Sequence, residues 1–453
     1  MAHRLVVVGG GAAGMSAASA ARRVDPGLDI VVLEATGYAA YGMCGLPYYV
    51  AGLVDRPEDL LAYPPEYFRE KRRIDLRLHA RVFAVEADRG MVRYTQDGRT
   101  LRLSYDHLVV TTGGTPVVPS IPGIDAECVF TIRTLEDAIA LRNLLDAGRI
   151  GRALIVGGGY IGLEMADALR AHGCSVVLAE VLPQVMANYD APIAALVEAE
   201  VRRHGVDLRL DTLFEEVIPS PAGVQVVVGG ETVTVDAMIL ALGVRANAGH
   251  LAAAGAATGP GGGLLVDDRM RTTLPGILAA GDCIAAPHLV LGRPAFVPLG
   301  PAANKTGRVA GTVAAGGDST FRGIVGTAVV KVFDLCVGRT GLTLAEAQAE
   351  DLDAVATDVV GKSCAKYYPG STPVTVRLVH EARGRLLGCQ MLGTSGVAKR
   401  LDVVATALHA GFDIDDLAAL DLSYAPPYAP VYDPILLAAQ AAVRAPGAAA
   451  SVA

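Results

Sequence analysis

The sequence predicts an α/β protein built on parallel sheets, and three observations carry that prediction. Near the N-terminus an apolar run, a glycine-rich turn, a helical stretch and a second apolar run ending in Glu follow one another. The same order recurs at 153–180. The apolar runs, such as Leu5-Val6-Val7-Val8, do not alternate with polar residues, which suits strands buried on both faces.

Leu5-Val6-Val7-Val8 leads into Gly9-Gly10-Gly11-Ala12-Ala13-Gly14, and an Ala-rich helical stretch follows to Arg23. In this G-x-G-x-x-G pattern Gly9 makes the tight turn and Gly11 lets the backbone approach a pyrophosphate. Gly14 lets helix and strand pack closely. The helix start offers unsatisfied N–H groups to phosphates. The strand Ile30-Val31-Val32-Leu33 then ends in Glu34, 20 residues after Gly14, where a carboxylate can accept from ribose hydroxyls.

In the second copy, Ala153-Leu154-Ile155-Val156 precedes Gly157-Gly158-Gly159-Tyr160-Ile161-Gly162, with helix through Leu163, Glu164 and Met165. Val176-Val177-Leu178-Ala179 ends in Glu180, 18 residues after Gly162. A carboxylate there favours NADH, because it would repel a 2′-phosphate, and Val181, Leu182 and Pro183 follow rather than Arg.

Composition bounds the function. The net charge of −8 comes with no dense Lys/Arg run, which argues against a nucleic-acid partner. Mean hydropathy is +0.39, yet no apolar stretch reaches the ~18 residues of a spanning helix. The chain enters a strand almost at once without a signal-peptide pattern, so a cytoplasmic location is expected. Residues 445–453 are small and repetitive and read as a frayed tail. The seven cysteines form no C-x-x-C pair and no metal-ligand spacing, so neither a disulfide framework nor a metal is expected.

Three further stretches make the chain resemble the pyridine nucleotide-disulfide oxidoreductases. Leu108–Pro116, with Thr112 and Gly113, is similar to the crossover out of that family's FAD domain. Ile239–Asn247, with Gly243, is similar to the return from its NADH domain. Thr273–Asp282 is similar to its second FAD motif, in which Asp282 would hold the ribityl chain. The resemblance implies two Rossmann-like dinucleotide-binding domains, the NADH domain inserted in the FAD domain, and a C-terminal α+β dimerisation domain. FAD would bind 1–115 and 247–322, NADH 116–246, and the homodimer would form through 323–453.

Most members of the family carry C-x-x-x-x-C, but here Cys44 is followed five residues on by Tyr49. Tyr41-Gly42-Met43-Cys44-Gly45-Leu46-Pro47 resembles instead the single-cysteine branch of coenzyme A-disulfide reductases, NADH oxidases and peroxidases, and persulfide reductases. A thiol at a helix start beside a flavin is expected to be largely thiolate, able to rest as a mixed disulfide or sulfenic acid. The other cysteines, Cys128, Cys174, Cys283, Cys336, Cys364 and Cys389, read as packing residues.

The resemblance further implies that Tyr424, in Ser423-Tyr424-Ala425-Pro426-Pro427-Tyr428, serves the partner's active site. Tyr367 or Tyr368 is the other ring that could do so. Ala12 and Ala13 stand where oxidases and peroxidases of the branch carry a His. Ala40 and Met43 stand where coenzyme A-disulfide reductases offer Ser and Asn. Arg22, Arg23, Lys71, Arg72 and Asn304 remain as candidate substrate contacts. The expectation is an NADH-dependent FAD reductase of a small-molecule disulfide or persulfide, coenzyme A disulfide leading. An NADH oxidase or peroxidase, or a reductase of quinones or metal ions, are the alternatives.

Overall fold

The computed structural model describes residues 3–220, 223–382 and 384–444; the expected tail at 445–453 lies outside them. The chain forms two compact units. One consists of the residues up to Ser120 with Phe130–Ile150 and Leu242–Ile324; the other consists of Ile121–Val129, Gly151–Ala241 and the chain from Val325 on.

The first unit is organised by a five-stranded sheet ordered Ile277–Ala279, His107–Val110, Arg4–Val8, Asp29–Leu33, Asp75–Arg77. All four pairings are parallel. Its centre is dry because Leu5, Val6, Val7, Leu108 and Val109 are each fully buried. Val8 pairs with both Leu33 and Val110, so Gly9, Glu34 and Thr111 emerge together at the carboxyl edge. That edge is where open α/β sheets hold their ligands.

Helix Ala12–Val24 packs on helix Gly300–Ala314 at very close range. A Cβ on Gly307 would sit 2.2 Å from the Ala13 carbonyl oxygen, and one on Gly311 2.0 Å from that of Ala17. Two glycines one turn apart therefore let the backbones touch. The stretch 130–150, expected within the inserted domain, groups with this first unit. Its helix Leu135–Asp146 packs on Leu46–Val50, and Arg142 Nη1 donates to the Tyr49 carbonyl at 2.7 Å.

The second unit repeats the parallel design. Strands Asp207–Arg209, Ser175–Ala179, Arg152–Val156 and Ala237–Leu240 lie side by side, with Val156 opposite both Ala179 and Leu240. The C-terminal part is an antiparallel sheet ordered Ala328–Val332, Leu335–Gly341, Leu386–Gly393, Pro373–Glu381, Ala354–Lys362. Helices Val397–Ala410 and Pro434–Arg444 cover it.

A buried polar knot joins these two parts of the second unit. Asp190 accepts from Arg377 Nε at 2.9 Å, Gln390 Nε2 at 2.5 Å and the amide of Leu344 at 3.1 Å. Both ionic partners are under a tenth exposed, so their charges are compensated by each other and by these donors.

Candidate active site

The first glycine-rich turn is shaped by close contacts. Gly9 has φ +103°, and a Cβ there would lie 2.3 Å from the Thr111 carbonyl oxygen. A Cβ on Gly14 would lie 1.8 Å from the Gly9 carbonyl oxygen, so the helix sits directly on the turn. At Gly11, by contrast, a Cβ would meet nothing within 4 Å. The turn is thus packed from behind and open in front, at the N-terminus of helix Ala12–Val24. That is the shape a pyrophosphate needs.

Glu34 is fixed at the rim: Oε2 accepts from the Gly10 amide at 2.6 Å, and Oε1 from the Thr36 amide and hydroxyl, both at 2.8 Å. Oε2 keeps a lone pair for a ribose hydroxyl, whereas Oε1 already accepts two bonds. Thr112 Oγ1 donates to the Asn247 carbonyl at 2.5 Å, and the Gly243 carbonyl accepts from Val117, so the two crossover stretches lie side by side. Asp282 follows Gly281, whose amide donates to Thr306 Oγ1 at 3.1 Å, and pairs with Arg133 at 3.3 Å. A small cleft lined by Asp282, Ala286, Val297, Leu299 and Thr306 opens there.

Arg133 and Glu136 are the polar residues here that the motifs did not reveal. Glu136 Oε1 accepts from the Gly37 amide at 2.9 Å, while its Oε2 is buried without a hydrogen-bond partner. An acceptor of that kind within the same unit as the cradle fits a nucleotide that brings donors. Burial pushes the Tyr41 phenol well up, and the Glu34 and Glu136 carboxylates add to it. Thr134 and Asp137 form a capping box, so a helix start was legible, but no local signal tells which sheet that helix joins.

Cys44 sits in a one-turn helix, Met43–Gly45, that runs into helix Leu46–Val50. Its segment is tied to the cradle, since the Ala40 amide donates to the Gly10 carbonyl at 2.8 Å. Ala40 takes φ +52°, and Gly42 donates to Leu60. Cys44 is exposed, whereas Cys174, Cys283, Cys364 and Cys389 are buried and Cys128 and Cys336 half-buried; none is in a disulfide. Burial pushes the Cys283 thiol up to about 11.

Of the candidate substrate contacts, Arg22 is engaged by its own fold, donating to the carbonyls of Asp25, Pro26, Leu28, Arg72 and Arg73. Arg72 Nε donates to the Tyr67 hydroxyl at 3.2 Å. Asn304 accepts from Ser16 at 2.8 Å across the two glycine-packed helices. Arg23 and Lys71 are exposed and Met43 half-buried.

In the second unit the same construction returns. A Cβ on Gly162 would meet the Gly157 carbonyl oxygen at 1.9 Å, and one on Gly159 would meet nothing within 4 Å. Glu180 Oε2 accepts from the Gly158 amide at 2.7 Å and Oε1 from Leu182 at 2.9 Å. Ile161 is exposed and Glu164 half-buried on the helix that follows. The Tyr160 hydroxyl meets that of Tyr189 at 3.2 Å and accepts from Asn188 at 3.1 Å; burial raises both phenols.

Also in this unit, Tyr367, Tyr424 and Tyr428 are exposed, at 76%, 49% and 81%, and Tyr368 at 40%. The neighbouring Tyr424 phenol raises that of Tyr367.

Two dinucleotide cradles of one design, with an exposed thiol tied to the first, define a two-nucleotide oxidoreductase. The chain belongs to the pyridine nucleotide-disulphide oxidoreductase family: that family's model matches residues 3–306 and its dimerisation-domain model residues 327–434. It is accordingly an NAD(P)H-dependent flavin oxidoreductase. It is 38% identical over 442 residues to the NAD(P)H coenzyme A polysulfide/persulfide reductase of Pyrococcus horikoshii, covering 97% of this chain and 98% of that one. The coenzyme A disulfide reductase of Staphylococcus haemolyticus is 30% identical, with 94% and 96% covered. The solved NAD-dependent persulfide reductase from A. fulgidus superposes with a TM-score of 0.94 at 37% identity, with 97% and 83% covered. Among the described residues no helix is long and apolar enough to cross a membrane.

Proposed function

We propose that this enzyme uses NADH to reduce a small-molecule disulfide or persulfide through Cys44 alone. The observation that carries the reading is the exposed Cys44 thiol, bonded through its segment to the first cradle, with Tyr49 where a second cysteine would be. The relatives named for coenzyme A disulfide and for persulfides support that substrate class. Coenzyme A disulfide is the leading candidate.

FAD is held by Gly9, Gly11, Ala12, Ala13, Gly14, Glu34, Thr112, Gly113 and Asp282, within 1–115 and 247–322. NADH is held by Gly157, Gly159, Tyr160, Ile161, Gly162, Glu164 and Glu180 within 116–246, with Gly243 on the return stretch. The bound pair supplies a hydride and a two-electron relay to sulfur. The protein's own part is thiol exchange: the Cys44 thiolate attacks one sulfur of R–S–S–R, forms Cys44–S–S–R and releases RS⁻. Two electrons and one proton then return Cys44–S⁻ and RSH. Tyr424 or Tyr367, on residues 323–453 of a second copy, donates a hydrogen bond or proton to the leaving thiolate. Glu180 favours NADH by repelling a 2′-phosphate.

The test is Cys44→Ser. Disulfide turnover disappears while the flavin spectrum stays; retained turnover would leave the quinone or metal-ion reading instead. An anaerobic titration consumes two NADH per flavin for the native enzyme and one for the variant. Ala12 and Ala13 stand where oxidases and peroxidases of the branch carry a His, so consumption of NADH by peroxide alone is expected to be slow.

A further inference from the structure

The two tyrosine-bearing segments are far apart in sequence but are gripped by one buried side chain. Arg400, in helix Val397–Ala410, is 8% exposed. Its Nε donates to Asp433 Oδ2 at 2.7 Å, where the segment that carries Tyr424 and Tyr428 ends. Its Nη2 donates to the Ser363 carbonyl at 2.9 Å, where the loop that carries Tyr367 and Tyr368 begins. The remaining arm, Nη1, donates to the Gly396 carbonyl at 2.9 Å.

Each attachment is itself anchored. Asp433 Oδ1 accepts from the Ile435 amide at 3.0 Å, so the same carboxylate starts helix Pro434–Arg444. Ser363 closes its loop on Thr372, its amide donating to the Thr372 carbonyl at 2.9 Å and its Oγ accepting from the Thr372 amide at 3.0 Å. Farther out, the Ala365 amide donates to the Pro426 carbonyl at 3.1 Å. Gly396 leaves room for the guanidinium, since a Cβ there would fall 2.2 Å from Nη1. The guanidinium spreads its donors over three nitrogens in a rigid planar fork, whereas a lysine ammonium offers its three donors from one point.

We propose that Arg400 is a positioning residue for the active-site tyrosines, holding the 363–372 loop of Tyr367 and the 424–433 segment of Tyr424 in a single register. The proposal rests on the reading in which those tyrosines assist disulfide reduction. It adds that their placement is set from beneath by a residue that touches neither ring nor substrate.

The test uses the full-length holoenzyme carrying 13Cζ-labelled tyrosine, with Tyr367→Phe to assign one of the 15 tyrosine signals. Tyr367 is expected to titrate above an ordinary phenol because Tyr424 lies beside it, and Tyr424→Phe should reduce that difference. Arg400→Lys is expected to reduce it too. It should also lower kcat for the disulfide by roughly 100-fold, the scale of a misplacement of about 1 Å. NADH-driven ferricyanide reduction and the KM for NADH stay unchanged. Should Arg400→Lys fail to fold, Asp433→Asn, which keeps the helix-starting oxygen, is read in the same way. A Tyr367 titration that is unaltered in a folded Arg400→Lys or Asp433→Asn enzyme overturns the proposal. If Tyr424→Phe leaves disulfide turnover intact, the catalytic reading of the tyrosines fails instead, and the titration still decides the role of Arg400.

Discussion

The Glu34 carboxylate accepts a hydrogen bond from the Gly10 amide at 2.6 Å, clamping the end of one strand to the turn that leaves its neighbour. Glu180 holds Gly158 in the same way at 2.7 Å. On the proposed reading, the acid that takes the ribose in each cradle also fixes the backbone that takes the phosphates, so recognition of the two groups is coupled.

That coupling makes nucleotide choice sensitive to one atom pair. Glu180→Ala removes the carboxylate and leaves the Gly158 and Leu182 amides to water. A hydrogen bond to a charged group is worth ~1.5–3 kcal/mol, so the KM for NADH should rise on the order of 10–100-fold. The KM for NADPH should change far less. Steady-state kinetics with both nucleotides measure the ratio, and an unchanged ratio counts against Glu180 as the selector.

The glycines of the first turn separate folding from cofactor retention. Gly14→Ala places a Cβ 1.8 Å from the Gly9 carbonyl oxygen and should cost ~1–3 kcal/mol or more of stability. Gly11→Ala meets no protein atom within 4 Å. The Gly11 variant should therefore melt normally as apoprotein yet lose flavin on gel filtration, whereas the Gly14 variant loses both. Normal flavin retention in Gly11→Ala would mean that the open side of the turn is not where the pyrophosphate lies.

The polar knot around Asp190 should weigh heavily on the second unit. Arg377→Met leaves the buried Asp190 charge without its cation, held only by the Gln390 and amide donors, at a cost of ~3–5 kcal/mol. Replacing both residues, as Asp190→Leu with Arg377→Met, should recover much of that loss. Urea unfolding of the single and double variants gives the comparison; a double variant as unstable as the single one would mean that the amide and Gln390 bonds to Asp190 dominate.

Buried thiols predict the alkaline limit of stability. Cys283 shifts from 9.0 in the ordinary thiol to about 11 when folded, because burial disfavours the thiolate. The unfolded chain therefore loses its proton first as pH rises. Stability contributed by the neutral thiol is complete below pH 9.0 and declines by ~2–3 kcal/mol as pH approaches about 11. Cys283→Ala should flatten that decline relative to the native protein. At neutral pH, native-state alkylation should modify the exposed Cys44 first and spare Cys283 and Cys389 until unfolding.

The sequence by itself determined the parallel-sheet modules, because their signals are local: apolar runs, G-x-G-x-x-G and a terminal Glu within about 30 residues. The helix from Ala12 and the strands ending at Leu33 and Ala179 were legible in this way, whereas Cys44 was singled out by the family resemblance of its segment and its exposure is set by the fold. What only the tertiary structure decided are relationships between distant segments. Arg133 reaches Asp282, Glu136 holds Gly37, Gly307 and Gly311 admit the Ala13 and Ala17 carbonyls, and Arg400 joins Ser363 to Asp433. None of these has a local signature, since an arginine on a helix reads the same whether it meets water or a buried carboxylate. Arg22 makes the point in reverse: a cation that the sequence offers to a phosphate is engaged by five backbone carbonyls once the chain has folded.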